Sequence, residues 1–243
     1  MRALILGGTA EAREVAALLK GQGWHVTSSL AGRVANPRLP VGEVRIGGFG
    51  GPAGLARWLI HNGIEVIIDA THPYAEKISI SASEASRATG VPLIALHRPA
   101  WEPGPKDRWR MVSTMEEAAT LVAREYHHIL LTIGRQKLAP FAADPHNLYV
   151  IRAVDPPSVA LPARHRVLLS RGPFTVEAEK KLMIDNQIDA VVTKNSGGAM
   201  TEAKLEAARS LGIDVVMVQR PKLPSATVHV STVEEVAKVI DRL

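Results

Sequence analysis

Several short stretches of this chain combine glycine with residues able to hold an anion or move a proton, and each follows an apolar run. Ala3-Leu4-Ile5-Leu6 leads directly into Gly7-Gly8-Thr9-Ala10-Glu11-Ala12, after which Ala12, Val15, Ala16 and Leu19 fall at helical spacing. A strand that turns through glycines into a helix lets the backbone approach a phosphate. It also aims the unbonded N–H groups of the first helical turn at the anion. Against the dinucleotide fingerprint G-x-G-x-x-G/A, Gly7 takes the first position and Ala12 the third, while Thr9 stands where the middle glycine belongs. The same residues would equally make a tight strand-to-helix turn with no ligand. About 20 residues further on, an NAD site places a carboxylate on the ribose hydroxyls. Here that region reads Ser28-Ser29-Leu30-Ala31-Gly32-Arg33. Serines and an arginine accept a 2′-phosphate that a carboxylate would repel, so a dinucleotide bound here would be NADP(H).

Ligands of open α/β sheets bind beyond the carboxyl ends of the strands, and four further strand ends carry suitable residues. Asp69-Ala70-Thr71-His72-Pro73-Tyr74 offers hydrogen-bonding groups at Thr71, His72 and Tyr74, with Pro73 stiffening the exit. Its alternative is a plain helix start. Thr193-Lys194-Asn195-Ser196-Gly197-Gly198 places one lysine before a glycine turn, which makes an anion cradle of one charge and several N–H groups. The alternative is a glycine turn beside a solvated lysine. Gly134-Arg135 and Arg171-Gly172-Pro173-Phe174 each set an arginine beside a glycine, and arginine suits bidentate recognition of carboxylate or phosphate. Either arginine could instead be a surface residue.

Composition narrows the chemistry. The absence of cysteine excludes disulfides, thiolate zinc, iron–sulfur clusters and a cysteine nucleophile. The histidines make no metal-ligand spacing, and there is no Gly-x-Ser-x-Gly elbow and no Walker lysine, so no metal site, hydrolase or kinase is expected. The formal charge is +5. The basic residues are dispersed, without the aromatic interleaving that stacks bases, so the expected partner is an acidic small molecule and not nucleic acid. With no signal segment after Met1-Arg2 and no apolar run of the ~20 residues that a membrane span needs, a cytoplasmic location is expected.

The elements that must position these residues alternate. Glu65-Val66-Ile67-Ile68-Asp69 reads as a buried strand, Ala75–Thr89 as a helix stopped by Gly90, and Val91–Leu96 as the next strand. A helix is expected over Leu55–His61, after a glycine cluster from Gly47 to Gly54. Pro99–Lys106 reads as a loop. Thr114 with Glu117 then caps a helix, and the rhythm restarts at Ile129 with strands at Tyr149–Val154, Arg166–Ser170, Ala190–Thr193 and Val215–Val218. The last helix opens at Ser231-Thr232 with Glu234 and Glu235 in its first turn. Such βαβα alternation predicts an α/β protein of two Rossmann-like, doubly wound parallel-sheet lobes with a cleft between them. The expected boundary lies near residue 128, giving residues 1–128 the cofactor and residues 129–243 the substrate.

At these motifs the chain resembles the precorrin-6A reductase family of cobalamin biosynthesis along essentially its whole length. The resemblance rests on Gly-Gly-Thr-Ala-Glu at 7–11, Ser-Leu-Ala-Gly-Arg at 29–33, Asp-Ala-Thr-His-Pro-Tyr-Ala at 69–75, Arg-Gly-Pro-Phe at 171–174, Thr-Lys-Asn-Ser-Gly-Gly at 193–198 and Gln-Arg-Pro at 219–221. It implies NADPH-dependent reduction of one double bond in a corrin precursor, giving precorrin-6B. Relatives of the anaerobic pathway act on the cobalt-containing ring. Precorrins carry many carboxylates, which matches a rim of Lys194, Arg135 and Arg171. Hydride transfer needs little acid–base machinery, and a proton could come from His72, Tyr74 or water. Two other classes use the same architecture: a tetrapyrrole lyase resembling uroporphyrinogen-III synthase, and a non-enzymatic dinucleotide sensor. Nicotinamide binding and turnover separate them.

Overall fold

The computed structural model describes residues 1–32 and 35–242. The chain builds two compact units in an interleaved order. It begins with β1 (Arg2–Leu6), α1 (Ala10–Gly21), β2 (His25–Leu30), β3 (Glu43–Ile46), α2 (Gly51–His61), β4 (Val66–Asp69), α3 (Glu76–Thr89) and β5 (Leu93–Leu96). It then passes to the second unit with β6 (Trp109–Val112), α4 (Met115–Glu125), β7 (His128–Leu131), β8 (Leu148–Ala153), β9 (His165–Leu169), α5 (Val176–Asp185), β10 (Ala190–Lys194), α6 (Ala203–Leu211) and β11 (Asp214–Val218). Finally β12 (Val228–Val230) and α7 (Val233–Ile240) return to the first unit.

Each unit holds a parallel sheet of six strands, in the orders β12-β5-β4-β1-β2-β3 and β6-β11-β10-β7-β8-β9. The two orders are the same doubly wound pattern, with the strand beside β5 or β11 contributed from the far side of the chain. β12 pairs with β5 through Val228↔Ile94, and β6 pairs with β11 through Val215↔Trp109. The division therefore falls at Pro99/Ala100 and again at Arg220/Pro221, where the sequence reading places one boundary near residue 128. Residues 100–128 lie with the second unit because β6 finds its ladder partner there, and residues 221–243 lie with the first because β12 does.

Side-chain alternation explains why the sheets are covered on both faces. Ala3 and Ile5 of β1 pack with Val15 and Leu19 of α1 and Val236 and Ile240 of α7. Leu4 and Leu6 face the other way, onto Leu55 and Leu59 of α2 and Ala82 and Ala85 of α3. In the second unit Leu130, Val150, Val191, Val215 and Met217 pack against Met183 of α5 and Leu205 of α6. Each buried Val, Leu, Ile or Met among them contributes about 1.5–3 kcal/mol by leaving water. α2 starts at Gly51, four residues before the expected Leu55, because Gly50 takes a left-handed φ of 78° and Pro52 enters the first turn. Among the described residues, no helix is long and apolar enough to cross a membrane.

Candidate active site

In the first unit the winding reverses between β1 and β4, so their carboxyl ends form the switch point at which such sheets take ligands. Gly7 continues the ladder past β1, its N–H donating to Ser29 O at 3.0 Å. A side chain at Gly7 would press on the Ala12 methyl at 3.3 Å, so glycine permits the close strand–helix approach. Gly8 has φ +111°, a conformation natural only to glycine, and nothing lies within 4 Å of where its Cβ would stand. Thr9 caps α1 by accepting from Ala12 N–H at 3.1 Å, and its hydroxyl donates to Ala70 O at 2.7 Å. One hydroxyl thus fastens the loop after β1 to the loop after β4. Glu11 pairs with Arg98, whose Nη1 lies 2.9 Å from each carboxylate oxygen. Burial pushes the Glu11 carboxyl up, but its own backbone N–H and Arg98 outweigh that and hold it below the usual carboxylate range. With Ala12 and Glu11 N–H engaged, Gly8, Thr9 and Ala10 supply the N–H groups of this loop.

The loop after β4 is built on Asp69, only 2% exposed, which accepts from Thr71 N–H at 3.1 Å and Thr71 Oγ1 at 2.7 Å. Tyr74 N–H donates to His72 Nδ1 at 3.3 Å, an arrangement that places the proton of a neutral imidazole on Nε2. The two rings lie 5.6 Å apart. Glu11, Thr71, Pro73, His97 and Arg98 line a small depression beyond β4 and β5. On β2, Ser28 is buried and Ser29 Oγ accepts from Arg45 Nη1 at 2.7 Å. Arg45 also stacks on Phe49, 3.7 Å from the ring centroid. Arg33 lies outside the described residues.

In the second unit the equivalent switch point lies between β7 and β10. Asn195, directly after Lys194, clamps Trp101 in both directions: its Oδ1 accepts from Trp101 N–H at 2.8 Å and its Nδ2 donates to Trp101 O at 2.9 Å. Asn195 O accepts from Arg220 Nε at 2.6 Å. Ser196 N–H turns back onto Lys194 O at 2.8 Å, and Gly197 has φ +66°. A short 3-10 turn over Ala199–Thr201 comes before α6, so the helix begins later than the motif suggests. The Arg171–Phe174 segment packs against this turn. Phe174 N–H approaches Met200 O at 3.4 Å, and a side chain at Gly172 would meet that oxygen at 2.9 Å. Arg135 sits beyond β7 after Gly134 (φ +79°), and its guanidinium reaches Pro156 O at 3.4 Å.

Residues 2–241 match the family described as precorrin-6x reductase CbiJ/CobK. The chain belongs to the precorrin-6x reductase family. It is 50% identical over 240 residues to the precorrin-6A reductase of Rhodococcus erythropolis, covering 98% of this chain and 96% of that one. It is 46% identical to that of Mycobacterium tuberculosis, covering 97% and 96%. The cobalt-precorrin-6A reductase of Priestia megaterium is 33% identical over 98% of this chain and 97% of its own. A solved structure titled CobK precorrin-6A reductase superposes with a TM-score of 0.93 at 41% identity, over 100% of this chain and 96% of that one. Membership makes this chain an oxidoreductase of cobalamin biosynthesis.

Within the precorrin-6x reductase frame, the sequence-predicted residues fall into two groups, one at each switch point. Gly7, Gly8, Thr9, Ala10, Glu11 and Thr71 gather in the first unit with His72 and Tyr74. Lys194, Ser196 and Gly197 occupy one turn in the second, and the Arg171 segment packs on the 3-10 turn that follows it. Three partners escaped the sequence reading. Arg98 lies two residues past the end of β5 and could have been found as a strand end. Arg45 and Trp101 could not, because their roles depend on pairings with Ser29 and Asn195 at a distance in sequence.

Proposed function

We propose that this chain reduces precorrin-6A to precorrin-6B, with NADPH as the hydride source. The observation that carries the reading is the match over nearly the whole chain to precorrin-6A reductases. The relatives named for the cobalt-free ring are the more similar ones, 50% and 46% against 33%, which favours the cobalt-free substrate. The geometry of the first unit fits a dinucleotide. Gly8 leaves open space above its Cα, Gly7 allows α1 to approach, and the loop leads into a helix start, where backbone N–H groups would receive an anion.

NADPH supplies the hydride, and the residues of this chain supply alignment and charge. Gly7, Gly8, Thr9 and Ala10 would hold the pyrophosphate, while Ser28 or Ser29 with Arg33 would take the 2′-phosphate. Glu11, kept ionised by Arg98, fixes the start of α1. Thr71, its hydroxyl oriented by Asp69, would lie toward the nicotinamide. His72 and Tyr74 are the side chains placed to hold or deliver a proton to the ring carbon beside the one reduced. Lys194, Ser196, Gly197, Arg135 and Arg171 receive acetate and propionate carboxylates of the macrocycle. The protein works in the cytoplasm on a small-molecule substrate. Anaerobic incubation with NADPH and precorrin-6A tests the proposal: reduced-nicotinamide absorbance should fall in step with formation of a dihydro product. Binding of NADPH without turnover would identify a sensor, and no binding at all would favour a lyase.

A further inference from the structure

Behind the Lys194–Gly198 turn lies a buried charged cluster that the proposed reaction does not use. Lys204, on the first turn of α6, is 3% exposed. Its Nζ donates to Thr201 O at 2.5 Å and lies 4.6 Å from the centroid of the Trp101 ring. Thr201 ends the 3-10 turn that follows Gly198, and Trp101 is the residue whose backbone Asn195 clamps on both sides. One ammonium therefore holds the far end of the 195–201 segment directly and the near end through Trp101. We propose that Lys204 is a positioning residue for substrate binding, and that the 195–201 turn takes a precorrin carboxylate best while the Lys204 ammonium is charged. This inference rests on the reading of that turn as the substrate side.

Charge matters because both contacts depend on it. A cation on an aromatic face and a charge-assisted bond to a carbonyl each weaken when the amine is neutral. The groups facing Lys204 come from every neighbouring element: Arg152 on β8, Glu179 on α5 and Glu202 just before α6. Arg152 is ion-paired to Glu179 and lies over the Phe174 ring at 3.9 Å, while Glu179 Oε2 is buried with no hydrogen-bond partner among the described residues. Burial, joined by repulsion from Arg152, pulls the Lys204 ammonium down to about 7 against the opposing pull of Glu179 and Glu202. The charged form thus prevails below neutrality and the neutral form above it. The ring carboxylates, with ordinary values near 4, stay ionised throughout that range. Because the folded value is depressed from 10.5, the unfolded chain binds more protons between about 7 and 10.5. In folding terms the buried amine is therefore a cost below that window, relieved as pH rises through it. Lys204→Met removes that cost while keeping the side-chain length.

The test is the pH dependence of KM for precorrin-6A between about pH 6 and pH 8.5, a range spanning neutrality, for wild type, Lys204→Met and Lys194→Ala. Wild-type KM should rise roughly 5- to 10-fold across the range, the difference between a charge-assisted and a neutral hydrogen bond, with kcat and NADPH binding nearly level. Lys204→Met should show the high value at every pH. A Lys204→Met enzyme with the wild-type slope, or a slope confined to kcat, overturns the assignment. If Lys194→Ala leaves KM for the macrocycle unchanged, the substrate-side reading itself fails and this inference with it. Should Lys204→Met not fold, wild-type tryptophan fluorescence decides. A transition near neutrality that disappears in Trp101→Phe supports the proposal, and a flat wild-type titration overturns it.

Discussion

Thr71 and Asn195 show how little of a polar side chain at these strand ends is spare. Thr71 spends its hydroxyl on Asp69, and Asn195 spends its amide on Trp101. On the proposed reading, charge for the ligand comes from Lys194 and Arg33. If Arg33 holds the 2′-phosphate, Arg33→Ala should weaken NADPH by about 1.5–3 kcal/mol, the range for a lost charge-assisted bond. NADH, which lacks that phosphate, should bind as before, and calorimetry with both cofactors reads the difference. Equal losses would remove Arg33 from the role. Lys194→Ala should raise KM for the macrocycle and leave NADPH dissociation unchanged, with the wild-type advantage shrinking as salt screens the charge. A variant that loses NADPH and keeps its affinity for the macrocycle would instead put the dinucleotide on the second unit.

At the scale of elements, the loops after β1 and β4 act as one piece because Thr9 bridges them. Thr9→Val keeps the shape but leaves the Ala12 N–H and the Ala70 carbonyl without a partner. The loss of a cap and of a buried acceptor's bond should cost about 1–3 kcal/mol. Thermal unfolding should register that cost, and NADPH affinity should fall with it because the loop proposed to hold the pyrophosphate loses its anchor. A Thr9→Val protein as stable as wild type would show that the bridge contributes nothing. The helix caps were legible beforehand. Thr114 accepts from Glu117 N–H at 3.0 Å, as their spacing predicts, and at the helix start expected at Ser231-Thr232 it is Thr232 that accepts from Glu235 N–H at 3.2 Å. β6 and β12 were not, since Arg110 and His229 interrupt their apolar residues and both strands are only partly buried.

For the whole molecule, the interleaved order has a direct consequence. Residues 1–128 carry β6 and α4 without β11, and leave β5 without β12. That fragment should therefore fail to fold cooperatively, exposing the edge of β5. Residues 1–99 joined by a flexible linker to 221–243 contain every strand of the first sheet and should fold as an independent unit. Circular dichroism and thermal melting of the two fragments check this. A cooperative melt for 1–128 would count against the pairing of β12 with β5.

The sequence by itself determined the class of structure and the places where chemistry could sit. Apolar runs of period two and helices of period 3.6 are local properties, and a glycine turn after a strand is readable wherever it occurs. Thus Gly7–Glu11, Asp69–Tyr74 and Lys194–Gly197 were found without coordinates, and the family signature came with them. Only the tertiary structure decided which strands pair, because partners such as Leu93 and Thr227, beside the Ile94–Val228 ladder pair, are 134 residues apart in sequence. It also decided what the motif residues spend their hydrogen bonds on. Thr9 on Ala70, Asn195 on Trp101 and Lys204 on Thr201 are contacts made by packing, and no spacing in the chain encodes them.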